Sequence, residues 1–146
     1  EEVFAALADD GARRFAPILK ALRSQNADFE GFVRSALQAY FQFLAAEHQQ
    51  WADRREAEEH LYVHGQTPEM EAVFNEVRAA ILDEIARGAA PAADADYLAG
   101  ACIAIAREVG EQMVSRRPVD VEGATAFSTA LILSGLKGLP KAEPAA

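Results

Sequence analysis

Two consecutive stretches near the end of the chain constrain its fold more than anything else in it. The first, YLAGACIAIAREVGEQMV, carries two apolar faces at helical spacing. Leu98, Cys102, Ile105, Val109 and Met113 form one; Ala99, Ile103, Ala106 and Gly110 form the other, mostly of small residues. The second, VEGATAFSTALILSGLKGLP, is apolar nearly all round between Ala124 and Leu136. A surface helix needs one apolar stripe, and a helix apolar on most of its circumference has to be covered on several sides. In 146 residues two such helices in succession cannot both lie at the middle of one core. The economical arrangement turns one face of each inward and the other toward a second copy of the chain. Small residues such as Ala106, Gly110, Ser128 and Gly135 would let helix backbones approach. The expected contact set is Ala106, Gly110, Phe127, Leu131, Ser134 and Gly135. Two helices from each of two subunits would then make a four-helix interface with two-fold symmetry. The other arrangement is a monomer in which the two helices form a central hairpin.

No segment has the period of two that marks a strand, so the chain is expected to be all-α, a bundle of about six helices. The first runs from the start to about Arg23, with Phe4, Leu7, Gly11, Phe15, Ile18 and Leu22 as its stripe. It opens EEVFAAL without a cap, as the interior of a longer helix does, and Pro17 is expected to kink it. The second follows Asp28, an N-cap, and keeps Phe29, Phe32, Val33, Leu37, Tyr40, Phe41 and Leu44 in register. A weak third segment within HQQWADRREAEEHLYVHG ends near Val63, anchored by Trp51, Leu61 and Tyr62. The fourth has sharp limits: Thr67 caps it, Pro68 takes its first position and Gly88 ends it. Met70, Phe74, Val77, Ile81 and Ile85 are its stripe. Asp94 or Asp96 caps the next helix; Asp120 caps the last, and Pro140 stops it. Residues 1–140 are expected to form one domain and 141–146 a disordered tail.

The chain has 14 Lys and Arg against 23 Asp and Glu, a formal net charge of −9. That balance argues against nucleic-acid binding by these residues alone, because phosphates demand a basic face. No apolar run approaches the roughly 20 residues of a membrane span. One cysteine, Cys102, permits no intrachain disulfide, and no signal peptide is visible, so a cytoplasmic location is expected.

Chemistry-bearing residues are few. On a continuous helix Glu56, His60 and His64 would share a face. Zinc sites draw on three or four converging ligands, and the remaining histidine, His48, lies in another segment. A solvated polar face is the expectation there, with no metal. Cys102 sits among apolar neighbours and is expected to be a buried structural thiol. Arg116 and Arg117 make a short basic turn. No nucleophile elbow, P-loop or dinucleotide glycine motif occurs, so neither enzyme activity nor a cofactor is expected.

The order and character of these segments resemble the C-terminal ligand-binding and dimerisation domain of TetR-family transcriptional repressors. EEVFAAL resembles the start of the helix that follows that family's helix-turn-helix. TPEMEAVFNEVRAAILDEIARG is similar to its seventh helix, down to the closing glycine. ADADYLAGACIAIAREVG and AFSTALILSGLKGLP resemble its last two helices, which dimerise. The resemblance implies a homodimer that binds DNA only through an N-terminal helix-turn-helix, which these residues do not include. It implies a small apolar or aromatic effector, held in a cavity walled by the earlier helices. Effector binding would shift the first helix and so change the spacing of the two DNA-binding modules, with Pro17 as a hinge. Phe32, Tyr40, Phe41, Trp51, Tyr62 and Phe74 lie on helices that the resemblance places around the cavity. Tyr40, His48, Tyr62 and Arg107 would be polar handles. Ordinary core packing is the other reading of each aromatic. A stand-alone helical dimerisation module without ligand is the alternative function.

Overall fold

The computed structural model describes residues 2–26, 28–52, 68–88, 90 and 92–141, and the side chains of 13–26, 28–49, 71–88, 90 and 92–141. The described residues form five helices and no strand: α1 Glu2–Gln25, α2 Phe29–Ala52, α3 Pro68–Ala86, α4 Ala95–Ser115 and α5 Val121–Lys137. Helix α1 packs chiefly on α3 and α2 chiefly on α5, while α4 touches α2, α3 and α5 and ties the two pairs together.

Local chemistry sets the helix ends. Asp28 Oδ1 accepts the Gly31 amide at 2.7 Å. Asp94 Oδ1 accepts that of Tyr97 at 3.0 Å, and Asp120 Oδ1 that of Gly123 at 2.8 Å. Each bond satisfies an amide that helix geometry leaves without a partner. Asp94 is thus the cap of α4, and Asp96 pairs instead with Arg78 of α3. Gly88, at φ 73°, supplies the left-handed residue that ends α3. Helix α5 closes before Pro140. The Gly138 and Leu139 amides turn back onto the Gly135 and Leu136 carbonyls at 3.1 and 3.3 Å.

Trp51 belongs to the last turn of α2 rather than to a separate helix. The rest of the weak segment, with Glu56, His60, Leu61, Tyr62 and His64, lies outside the described residues, as does Thr67. Helix α1 continues past Pro17, which is exposed. Its inward stripe is Phe15, Leu19 and Leu22, not the expected Ile18, which is 40% exposed. Steps of four and three from Phe15 reach Leu19 and Leu22, whereas Ile18 falls to one side.

The core runs through all five helices. Phe15 and Leu19 meet Phe29, Phe32, Val33, Leu37 and Phe41 of α2, with Ile81, Ala99, Met113, Ile132 and Leu136 completing the cluster. Arg14 ties α1 to α2 from outside, bonded to Glu47 at 3.1 Å and stacked 5.1 Å from the Phe43 ring.

The small-residue face of α4 points into the chain, and this corrects one expectation. Gly110 is buried against α2, where a Cβ would lie 2.4 Å from Leu44 Cδ1 and 3.5 Å from the Tyr40 and Phe41 rings. It therefore serves an approach within the chain, not one between copies. Ala99 is fully buried and Ala106 half-buried on the same side. The physical reason is the width of α2, whose Tyr40 and Phe41 leave room only for small side chains opposite. Gly110→Val should accordingly lower unfolding free energy by about 1–3 kcal/mol, the usual range for overpacking. Denaturant unfolding measures this, and Leu44→Ala in the same chain should recover part of the loss.

Candidate functional site

Helix α5 is turned the opposite way from a helix that only covers a core. Its inward stripe is Thr125, Ser128, Thr129, Ile132 and Leu136, more than half of it hydroxyl-bearing. Its outward side carries Phe127, 61% exposed, and Leu131, 48% exposed. Ala126, Ala130, Ser134 and Gly135 are exposed beside them, with no charged residue from Gly123 to Leu136. Around Gly135 nothing lies within 4 Å of where a Cβ would be. On α4 the outward positions include Tyr97, 81% exposed, with Ala101 and Ala104. Among the described residues these form the exposed apolar side of α4 and α5.

The inward hydroxyls are only partly satisfied. Thr125 Oγ1 donates to the Val121 carbonyl at 2.8 Å. Ser128 Oγ and Thr129 Oγ1 are buried without a hydrogen-bond partner, and so is Glu84 Oε2 on α3. The other carboxylate oxygen of Glu84 pairs with Arg87.

Beside this stripe an open groove of about 1020 Å³ lies between α2 and α5. Gln38 and Gln42 line it from α2, Thr129 and Leu133 from α5, and Glu84 from α3. His48 Nε2 lies 3.1 Å from Arg117, which joins the end of α2 to the turn before α5, so these helices run antiparallel. A smaller depression of about 380 Å³ lies between the ends of α1 and α3 and the start of α2, and Glu84 lines it too.

The aromatic residues expected to wall a cavity are placed mainly in the core. Phe41 has no exposed surface and Phe32 is 6% exposed. Tyr40 packs edge-on to Phe15 at 5.5 Å and tilted to Phe41 at 5.8 Å between ring centres. Phe74 is half-buried on α3 and Arg107 half-buried on α4. Phe32 lines the smaller depression; Tyr40, Phe41, Phe74 and Arg107 line neither. The side chains of Trp51 and Tyr62 lie outside the described residues. Sequence reasoning missed Glu84 and Thr129. Glu84 had a signal, since it falls three residues after Ile81, on the apolar side of α3.

Cys102 is half-buried against the core, and burial pushes its thiol up from 9.0 to about 11. Thiolate is the reactive form, so alkylation at neutral pH should be about a hundredfold slower in the folded chain than after denaturation, as mass spectrometry can follow. Above pH 9 the unfolded thiol ionises while the folded one does not, so this group lowers stability as pH rises further.

No family model matches this chain, and no curated protein or solved structure matches it significantly. Among the described residues no helix is long and apolar enough to cross a membrane.

Proposed function

We propose that this chain is the effector-binding and dimerisation domain of a TetR-like transcriptional repressor. In this reading two copies associate through the outward sides of α4 and α5, and operator contact belongs to a helix-turn-helix outside these residues. An apolar or aromatic effector binds among the earlier helices and biases α1, so that the two DNA-binding modules lose the spacing of their half-sites. Catalysis and a cofactor form no part of it. The observation that carries the reading is the uncharged outward face of α5, with Phe127 and Leu131 exposed while hydroxyl side chains point inward.

The burial of Phe32 and Phe41 favours the second reading, a dimerising helical module without ligand, because core residues leave no wall for an aromatic effector. One experiment separates the two. Thermal shift against a library of apolar and aromatic compounds, run alongside light scattering, should give a dimer stabilised by at least one compound class. A dimer stabilised by none sinks the effector part; a monomer sinks the reading as a whole.

A further inference from the structure

We propose that the outward face of α5 packs antiparallel against α5 of a second copy, centred on Ala130, with Glu122 of each copy beside Lys137 of the other. The inference rests on the dimer proposed above and adds its direction and register.

The charges of α5 set the direction. Glu122 lies in its first turn and Lys137 in its last, both are exposed, and no charged residue lies from Gly123 to Leu136. Neither makes an ion pair with another described residue. At 3.6 residues per turn their spacing puts them about 60° apart around the helix, on the flank that borders the groove. A two-fold axis that reverses α5 lays the same flanks of the two copies side by side and exchanges their ends. Glu122 comes eight residues before Ala130 and Lys137 seven after it. With the axis at Ala130, each therefore meets the opposite charge of the other copy at nearly the same level. A parallel pair would set Glu122 against Glu122 and Lys137 against Lys137. The helix dipoles act in the same sense, since antiparallel helices place the positive end of one beside the negative end of the other.

Side-chain size points to the same centre. Ala126, Ala130 and Ser134 are exposed at steps of four, a ridge without bulk. About Ala130, Ala126 falls level with Ser134 of the second copy, and the two ridges let the backbones approach. Phe127, 61% exposed, then falls beside Ser134 and Gly135 of the second copy. Nothing lies within 4 Å of where a Cβ would be at Gly135, so the ring has room there. Leu131 of the second copy flanks the ring. A parallel pair would set ring against ring at Phe127 and backbone against backbone at Gly135.

The test is disulfide formation in chains carrying Cys102→Ala, so that an added cysteine is the only one. Light scattering first establishes whether the parent is a dimer, and circular dichroism that each variant folds. Under mild oxidation Ala130→Cys chains should link to themselves. Ala126→Cys and Ser134→Cys chains should each do so at least tenfold more slowly, because the antiparallel pair holds two copies of either position about 12 Å apart along the axis, beyond disulfide reach. Mixed together, those two variants should link to each other as fast as Ala130→Cys links to itself. A charge exchange at low salt is the second measurement and leaves Cys102 in place. Glu122→Lys or Lys137→Glu alone should raise the dimer Kd several-fold, and both in one chain should restore it to within twofold. In a dimeric parent, self-linking of Ala126→Cys or Ser134→Cys as fast as Ala130→Cys, no linking at any of the three positions, or no recovery in the double charge exchange overturns the arrangement and leaves the dimer standing. A monomeric parent removes the dimer itself, and the repressor reading with it.

Discussion

Replacing Phe41 by alanine should remove about 3–5 kcal/mol of stability, the usual range for a buried aromatic truncated to a methyl group. Phe41 has no exposed surface and is one of the largest side chains wholly enclosed among the described residues. Its ring packs on Tyr40, and the bare backbone of Gly110 lies opposite. Truncation there leaves a void that α4 cannot fill, because the residue facing it has no side chain with which to follow. For a chain of this length the midpoint of thermal unfolding should fall by on the order of 10 °C, measured at fixed protein concentration. The same substitution also weighs core packing against the expected effector cavity. A ring that walls an open cavity already lacks neighbours on one side, and its loss costs correspondingly less. A loss below about 1 kcal/mol would overturn the core placement of Phe41 and restore it to a cavity wall.

How much of this was legible in the sequence depends on whether a signal was local. Asp28, Asp94, Asp120 and Gly88 mark helix limits through bonds or dihedrals that span only a few residues, and all four act at the ends where the sequence puts them. The aromatic stripe of α2 was equally legible, since Phe29, Phe32, Val33, Leu37 and Phe41 are all core. What periodicity cannot give is how two apolar faces share one core. On α4 Leu98, Cys102, Ile105, Val109 and Met113 pack inward along with Ala99, and the bare backbone of Gly110 takes the place opposite bulky α2. On α1 Ile18 and Leu19 are both apolar and adjacent, and packing against α3 decided between them. Glu84 had a signal in its register with Ile81, and Thr129 had none. A carboxylate or hydroxyl in sequence reads as solvated, and only the tertiary arrangement reveals that both are buried.

Converting the outward face of α5 should have the second large effect, on association rather than on folding. Phe127 and Leu131 are four residues apart on one side of α5, and each is about half exposed or more. In a two-fold interface each residue occurs twice, so losing Leu131 removes two buried leucines per dimer. At about 1.5–3 kcal/mol for full burial of a leucine, and with only about half of Leu131 left to bury, Leu131→Glu should weaken the proposed dimer by about 1.5–3 kcal/mol, or roughly one to two orders of magnitude in Kd. A glutamate added to each copy's contact face adds repulsion between chains whose net charge is already −9. The variant should nonetheless stay helical, because position 131 is not part of the chain's own core. Ile132→Glu is the matched contrast: the next residue along α5 is 6% exposed and within the core, so that change should unfold the chain instead. Sedimentation or light scattering across a concentration series reads the first effect, and circular dichroism separates it from the second. A folded Leu131→Glu chain with the same mass as a dimeric parent would remove α5 from the proposed contact, and the α4 surface around Tyr97, 81% exposed, would be the next to convert.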